Sequence, residues 1–150
     1  MDSPPTIHGS AVLIGRKAAL IRGTAGAGKS HLALRLIDAG GRPPLAFVRL
    51  VADDRVHVEP RGGALLARPA ASLAGLIEVR GLGIRRISYE PVAAVGLVID
   101  LAAPDAQRLP DAKARNTDIS GISLPRLAVA AGDDPLSAVL AFMTTAAAAD

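Results

Sequence analysis

Apolar positions in this chain come in short runs broken by glycine, proline and charge. Ser10-Ala11-Val12-Leu13-Ile14 and Ala18-Ala19-Leu20-Ile21 flank Gly15-Arg16-Lys17 and read as two strands of a hairpin. The spacing then changes. Leu32, Leu34, Leu36 and Ile37 follow a helical pattern over residues 29–39, closed by Gly40-Gly41 and broken further by Pro43-Pro44. Phe47-Val48-Arg49-Leu50-Val51-Ala52 is a predicted strand that delivers Asp53-Asp54. Residues 55–60 alternate like a continuing strand, Arg61-Gly62-Gly63 turns the chain, and Ala64-Leu65-Leu66-Ala67-Arg68 is the hairpin partner.

The second half is read the same way. Residues 69–75 form a short helical or irregular piece. Two glycines bend the segment Ile77-Glu78-Val79-Arg80-Gly81-Leu82-Gly83-Ile84. Ala94-Val95-Gly96-Leu97-Val98-Ile99 is a buried strand ending at Asp100. Residues 103–118 are polar, carry Pro104 and Pro110, and are expected as an exposed loop. Residues 119–129 read as a strand or strand pair. Asp134-Pro135 opens a helix that runs to Met143. The ends, 1–6 and 145–150, are expected to fray, and residues 1–150 to form a single α/β domain. A hairpin feeding the first helix argues for a mixed, not purely parallel, sheet.

Composition narrows the function classes. Half the residues are apolar, enough for a proper core in 150 residues. Phe47, Tyr89 and Phe142 are the only aromatic residues, so base stacking on an aromatic platform is not expected. The formal charge of +3 suits a phosphate-bearing ligand, but is too small and scattered for a nucleic-acid stripe. No cysteine is present, which removes thiol chemistry and disulfides. No signal-peptide pattern and no membrane-length apolar run appear, so a cytoplasmic protein with no membrane partner is expected.

The chemistry centres on Gly23-Thr24-Ala25-Gly26-Ala27-Gly28-Lys29-Ser30, a full match to the phosphate-binding pattern G-x-x-x-x-G-K-[ST]. A strand leads in and a helix leads out, as that motif requires. Glycines let backbone N–H groups turn toward phosphate oxygens, and the helix start points its positive end at them. Lys29 is placed to reach the β- and γ-phosphates, and the Ser30 hydroxyl to ligate Mg²⁺. The implied cofactors are ATP and Mg²⁺.

Acidic candidates lie elsewhere. Asp53 and Asp54 sit at a strand end, where both can approach one site and each can raise the pKa of the other. Leu97-Val98-Ile99-Asp100 has the look of a metal-holding strand end, which in an ordinary phosphate-loop enzyme would make Asp100 the magnesium aspartate. His8 is a candidate pH-sensitive or phosphate-contacting group. Arg126 is a candidate for stabilising the transferred phosphate by charge.

Leu50-Val51-Ala52-Asp53-Asp54-Arg55-Val56 and Ile77-Glu78-Val79-Arg80-Gly81-Leu82-Gly83-Ile84 resemble two signatures of the HPr kinase/phosphorylase catalytic domain, and His8-Gly9 is a third match. With the phosphate loop, the resemblance runs from about His8 to Ile84, with an echo at Leu124-Pro125-Arg126. It implies a P-loop domain of the HPr kinase, PEP carboxykinase-like type. It implies a serine kinase/phosphorylase acting on a small phosphocarrier protein, HPr or a relative, of the phosphotransferase system. The donor is Mg-ATP or pyrophosphate, and phosphorolysis is the reverse reaction. It assigns the metal to Ser30 and Glu78, and catalysis to Asp53, Asp54, His8 and Lys29. Asp53 is expected as the base and Asp54 as the group that places metal or substrate. Family members are hexamers, which implies a homo-oligomer.

The chain departs from the family pattern in three places. It starts almost at His8-Gly9, as a short, catalytic-domain-only form would. Pro43-Pro44-Leu45-Ala46-Phe47 lengthens the path from helix to aspartates. An arginine-rich stretch is reduced to Leu124-Pro125-Arg126-Leu127. Two rival functions follow: a small-molecule kinase that uses Asp100 for metal, and a catalytically weak nucleotide sensor in a regulatory complex.

Overall fold

The computed structural model describes residues 5–146 and 148. Thr6–His8 (β1) and Ser10–Ile14 (β2) lead to Lys17–Arg22 (β3), the glycine loop and helix Lys29–Ala39 (α1). Val48–Ala52 (β4), Arg55–Arg61 (β5) and Ala64–Pro69 (β6) follow. A short 3₁₀ turn, Ala71–Leu73, precedes Leu76–Val79 (β7) and Gly83–Arg86 (β8). Ala93–Asp100 (β9), Asn116–Ile119 (β10), Ile122–Ala128 (β11) and helix Pro135–Thr144 (α2) complete the order.

Nine strands form one sheet in the order β1-β5-β6-β9-β3-β2-β4, with β11 also on β9 and β10 on β11. β3 and β11 run parallel to β9, and the other pairs of this sheet are antiparallel. The expected mixed sheet follows directly from the β2–β3 hairpin, which pairs Ser10 with Ile21 through Ile14 with Lys17. β7 and β8 pair only with each other.

The central strands are buried on both faces, which is why they read as unbroken apolar runs. On β3, Ala19 and Ile21 face a core built on α1, with Leu32, Ala33, Leu36 and Leu50. Ala18 and Leu20 face a second core with Val56, Val58 and Leu65. Two bulges set which side chain faces which core. On β9, Gly96 is the extra residue opposite Ala18 and Ala19, so Val95 joins the second core while Leu97 joins the first. A Cβ at Gly96 would stand 2.7 Å from Lys17 Cβ. On β4, Ala11 opposes Ala52 and Val12 opposes Leu50, which leaves Val51 extra.

Two expectations change. Thr6 belongs to β1 and not to a frayed start, because Thr6–His8 pairs with Arg55–His57; residues 1–4, 147, 149 and 150 lie outside the described residues. Residues 116–118, expected within the exposed loop, begin β10. Their polar letters conceal an edge strand whose Ile119 is buried. Gly40 does follow α1, yet its reason is closeness to β4: a Cβ there would come within 2.7 Å of Val48 Cβ. Gly41 takes the positive φ of 87°.

Leu36 is fully buried between α1 and the sheet. Leu36→Ala is expected to lower stability by about 2–5 kcal/mol, and Leu34→Ala, half-buried on the flank, by less. Urea unfolding of the two variants beside the parent chain checks the order.

Candidate active site

The glycine loop spans residues 23–28 between β3 and α1. Gly26 and Gly28 hold φ of 82° and 99°, and an added Cβ at either would meet nothing within 4 Å. Backbone conformation, and not crowding, demands glycine there. Gly28 is the N-cap of α1, with no side-chain cap and no acidic residue in the first turn. The opening amides of α1 are therefore left to the loop's concave side, where an anion would be received. The Lys29 ammonium rests on the carbonyl oxygens of Gly23 and Thr24 at 2.9 and 3.1 Å.

Asp53 and Asp54 follow β4, and their side chains diverge. In a regular strand with Leu50 toward α1, residue 53 would point away from α1. The extra Val51 reverses that parity. Asp53 is buried, with 4 % of its surface exposed. Its Oδ1 accepts from Ser10 Oγ at 2.5 Å, and Ser30 Oγ straddles both carboxylate oxygens at 2.8 and 2.9 Å. Oδ2 also accepts the Glu78 backbone N–H at 3.1 Å. One carboxylate thus ties β2, α1 and β7.

Asp54 is exposed and sits at φ 71°, the apex of a three-residue turn closed by the Arg55 N–H on the Asp53 carbonyl at 2.9 Å. Such a backbone is uncommon outside glycine, and it throws consecutive carboxylates to different sides. Of the two, expected as base and as placing group, Asp53 is enclosed by donors and Asp54 is not. Asp53 is engaged by the Ser30 hydroxyl, and Asp54 is open to solvent.

The His8-Gly9 pair has a physical reason. The Gly9 N–H donates to the Asp54 carbonyl at 3.2 Å, and a Cβ on Gly9 would stand 2.6 Å from the Ile21 carbonyl oxygen. Glycine lets β1 cross there, which brings His8 Nδ1 to 4.0 Å from Asp54 Oδ1 with both side chains about two-thirds exposed. Glu78, on β7, is exposed, and its backbone N–H reaches Asp53. It makes no ion pair among the described residues.

Asp100 and Arg126 lie in a separate brace. Asp100 ends β9, the parallel neighbour of β3, as its metal-like reading supposed. Its carboxylate, however, receives Arg22 Nε and Nη2 at 2.7 and 2.8 Å and Arg126 Nε at 2.5 Å. Burial works against this charge, but the hydrogen bonds and charges of Arg22 and Arg126 outweigh it and hold the carboxyl below its ordinary 3.8. Arg126 also forks onto Asp105 at 2.8 and 2.9 Å. The Asp105 hydrogen bond leads the causes that raise its pKa further. Arg126, a candidate phosphate contact, ties β11 to β9 and to the loop after it.

Ser30, Asp53 and Glu78 offer hard oxygen donors, a set that suits Mg²⁺, which takes few protein ligands and keeps waters or phosphate oxygens. Among the described residues no group of three or more His, Asp or Glu side chains is gathered as a metal cage. Uncapped helix amides beside Lys29 fit a phosphate chain. Sequence reading missed Ser10 and Arg22. Ser10 was visible as the single polar residue in an apolar strand, and Arg22 as a charge at the last step before the loop.

Comparison with known proteins adds an independent line. The model of the HPr Serine kinase C-terminal domain family matches residues 2–132. An HPr kinase/phosphorylase of Limosilactobacillus reuteri is 35 % identical over 136 residues, 83 % of this chain and 40 % of the relative. One of Streptococcus thermophilus is 44 % identical over 80 residues, 53 % of this chain and 24 % of the relative. The chain thus spans less than half the length of these curated relatives. The structure of the HPr(Ser) kinase/phosphatase from Coxiella burnetii superposes with a TM-score of 0.74 at 27 % identity, covering 93 % of this chain and 95 % of that one.

The brace predicts a pH signature. Because the folded carboxyl of Asp100 titrates below the unfolded one, its stabilisation is full above the ordinary aspartate range and fades as pH falls through the lowered value. Asp100→Asn should cost about 1–3 kcal/mol at neutral pH. The gap should hold down to about pH 5 and close below about pH 4, read by urea unfolding at each pH.

Proposed function

The chain belongs to the HPr Serine kinase C-terminal domain family, and from that premise we propose that it transfers the terminal phosphoryl group of ATP to a serine of a small phosphocarrier protein, HPr or a relative, and runs the reverse phosphorolysis. The observation that carries the reading is the Ser30–Asp53 contact at the helix start, with the open carboxylate of Asp54 as its neighbour in sequence. Phosphoryl transfer asks little covalent help of a protein; it needs grip, charge neutralisation and an oriented nucleophile.

Each residue has a part in that scheme. Loop amides and the first turn of α1 hold the phosphates, and Lys29 leaves its carbonyl partners to bind the β- and γ-phosphate oxygens. Ser30, Asp53 and Glu78 hold Mg²⁺, which neutralises charge on the phosphate chain. Asp54 takes the proton from the acceptor serine as that oxygen bonds to phosphorus and the bond to the β-phosphate oxygen breaks. His8, beside Asp54, steadies that carboxylate. In reverse, Asp54 takes a proton from inorganic phosphate as a phosphate oxygen bonds to the phosphoserine phosphorus and the bond to the serine oxygen breaks; the proton passes to that serine oxygen and pyrophosphate leaves.

A macromolecular acceptor suits the surroundings. The β7–β8 hairpin next to Asp53 exposes Leu82 and Ile84 at 69 % and 63 %. Its Arg80, Arg85 and Arg86 make no ion pair among the described residues. The reading places the protein in the cytoplasm with its carrier, and as a homo-oligomer like its family. No helix among the described residues is long and apolar enough to cross a membrane.

Incubation with γ-labelled ATP, Mg²⁺ and candidate carriers tests this. Label should appear on a carrier serine, vanish in Lys29→Ala, and fall on the order of 10²–10⁴-fold in Asp54→Asn. An Asp54→Asn variant with parental rate would overturn the assignment of the base. Leu82→Asp should weaken labelling of the carrier while nucleotide binding stays at the parental level; equal labelling would remove the hairpin from substrate docking. The commitment of Arg126 to Asp100 and Asp105 favours one second reading, a nucleotide sensor that binds ATP tightly and labels no carrier.

A further inference from the structure

Ser10 is fully buried, in a strand whose other residues are all apolar. A hydroxyl there loses water and needs a partner to offset that loss. Its partner is Asp53, 43 residues away, at 2.5 Å, the short range of a hydrogen bond from hydroxyl to carboxylate. An apolar side chain here would carry no hydroxyl to desolvate, so packing alone does not call for serine.

The arrangement of donors on Asp53 indicates what the hydroxyl does. Ser30 has one proton and lies against both oxygens. When the Ser30 oxygen binds a cation, two donors remain that touch neither ion nor nucleotide: Ser10 on Oδ1 and the Glu78 N–H on Oδ2. They approach from β2 and β7, one on each oxygen. Ser10 also pairs through its backbone with Ile21, two residues before the glycine loop. The hydroxyl therefore fixes the carboxylate to the strand pair that leads into that loop.

We infer that Ser10 is a positioning residue for the Mg²⁺ site, holding the Asp53 carboxylate in register with Ser30 so that the cation and phosphate chain are bound together. The inference rests on the Mg-nucleotide reading above and deepens it. Groups that orient metal ligands without touching the metal change affinity by about 10–100-fold when removed.

The test is binding of a fluorescent ATP analogue to the full chain, titrated with Mg²⁺ and repeated in EDTA. In Ser10→Ala the Mg²⁺ concentration for half-maximal binding should rise about tenfold, while affinity in EDTA stays within about twofold. Ser10→Thr, which keeps the hydroxyl, should restore most of the Mg²⁺ response. In an Asp53→Asn background Ser10→Ala should add no further loss. Urea unfolding reports whether each variant folds; if Ser10→Ala does not, Ser10→Cys, near-isosteric with a weaker donor, gives the same comparison. A parental Mg²⁺ response in Ser10→Ala or Ser10→Cys, or a Ser10→Ala loss that persists in Asp53→Asn, overturns the inference while leaving the nucleotide reading intact. Failure of the parent chain to bind the analogue with Mg²⁺ overturns that reading, and the inference with it.

Discussion

The site depends on one buried carboxylate. Asp53 stands in the protein interior at 4 % exposure, where an unsolvated charge is costly unless donors surround it. Those donors come from three elements that are distant in sequence: Ser10 on β2, Ser30 on α1 and the backbone of Glu78 on β7. The same charge that could hold a cation therefore also fixes the relative positions of the glycine loop, the first hairpin and the β7–β8 hairpin. Satisfying it and assembling the site are a single event.

Around that centre the fold separates duties. The parallel edge of β9 carries Asp100 close to the loop, yet its charge is neutralised by Arg22 and Arg126. This brace joins β3, β9 and β11 at their carboxyl ends, where ligands of α/β sheets collect. It steadies the strand that feeds the loop without offering a free carboxylate to a metal. Asp100 is thus engaged by two arginines, while the buried Asp53 and the exposed Asp54 lie on the antiparallel side of the sheet, after β4.

Much of the fold was legible from residue order. The β2–β3 hairpin, α1 over 29–39, the β5–β6 hairpin and a last helix opening at Asp134-Pro135 all show in alternation, glycines and caps. What escaped was set by neighbours distant in sequence. Asn116-Thr117-Asp118 reads as loop because an edge strand needs apolar residues on one face at most. Gly40 reads as a helix stop, although Val48 crowding is what requires it. The Asp100 and Asp105 partners of Arg126 escaped because an isolated arginine gives no sign of the carboxylates it will meet.

The sequence by itself determined the phosphate-loop motif. The eight residues from Gly23 to Ser30 carry their own geometry, since the φ values they need and the helix they start are local. It also supplied the candidate acids. Only the tertiary structure decided which acid faces which partner. One extra residue, Val51, reverses the parity of β4 and turns Asp53 inward to Ser30, and the tight turn at Asp54 sends its neighbour out to solvent. A bulge is defined by register against another strand, and register is a property of the pair, absent from either sequence alone.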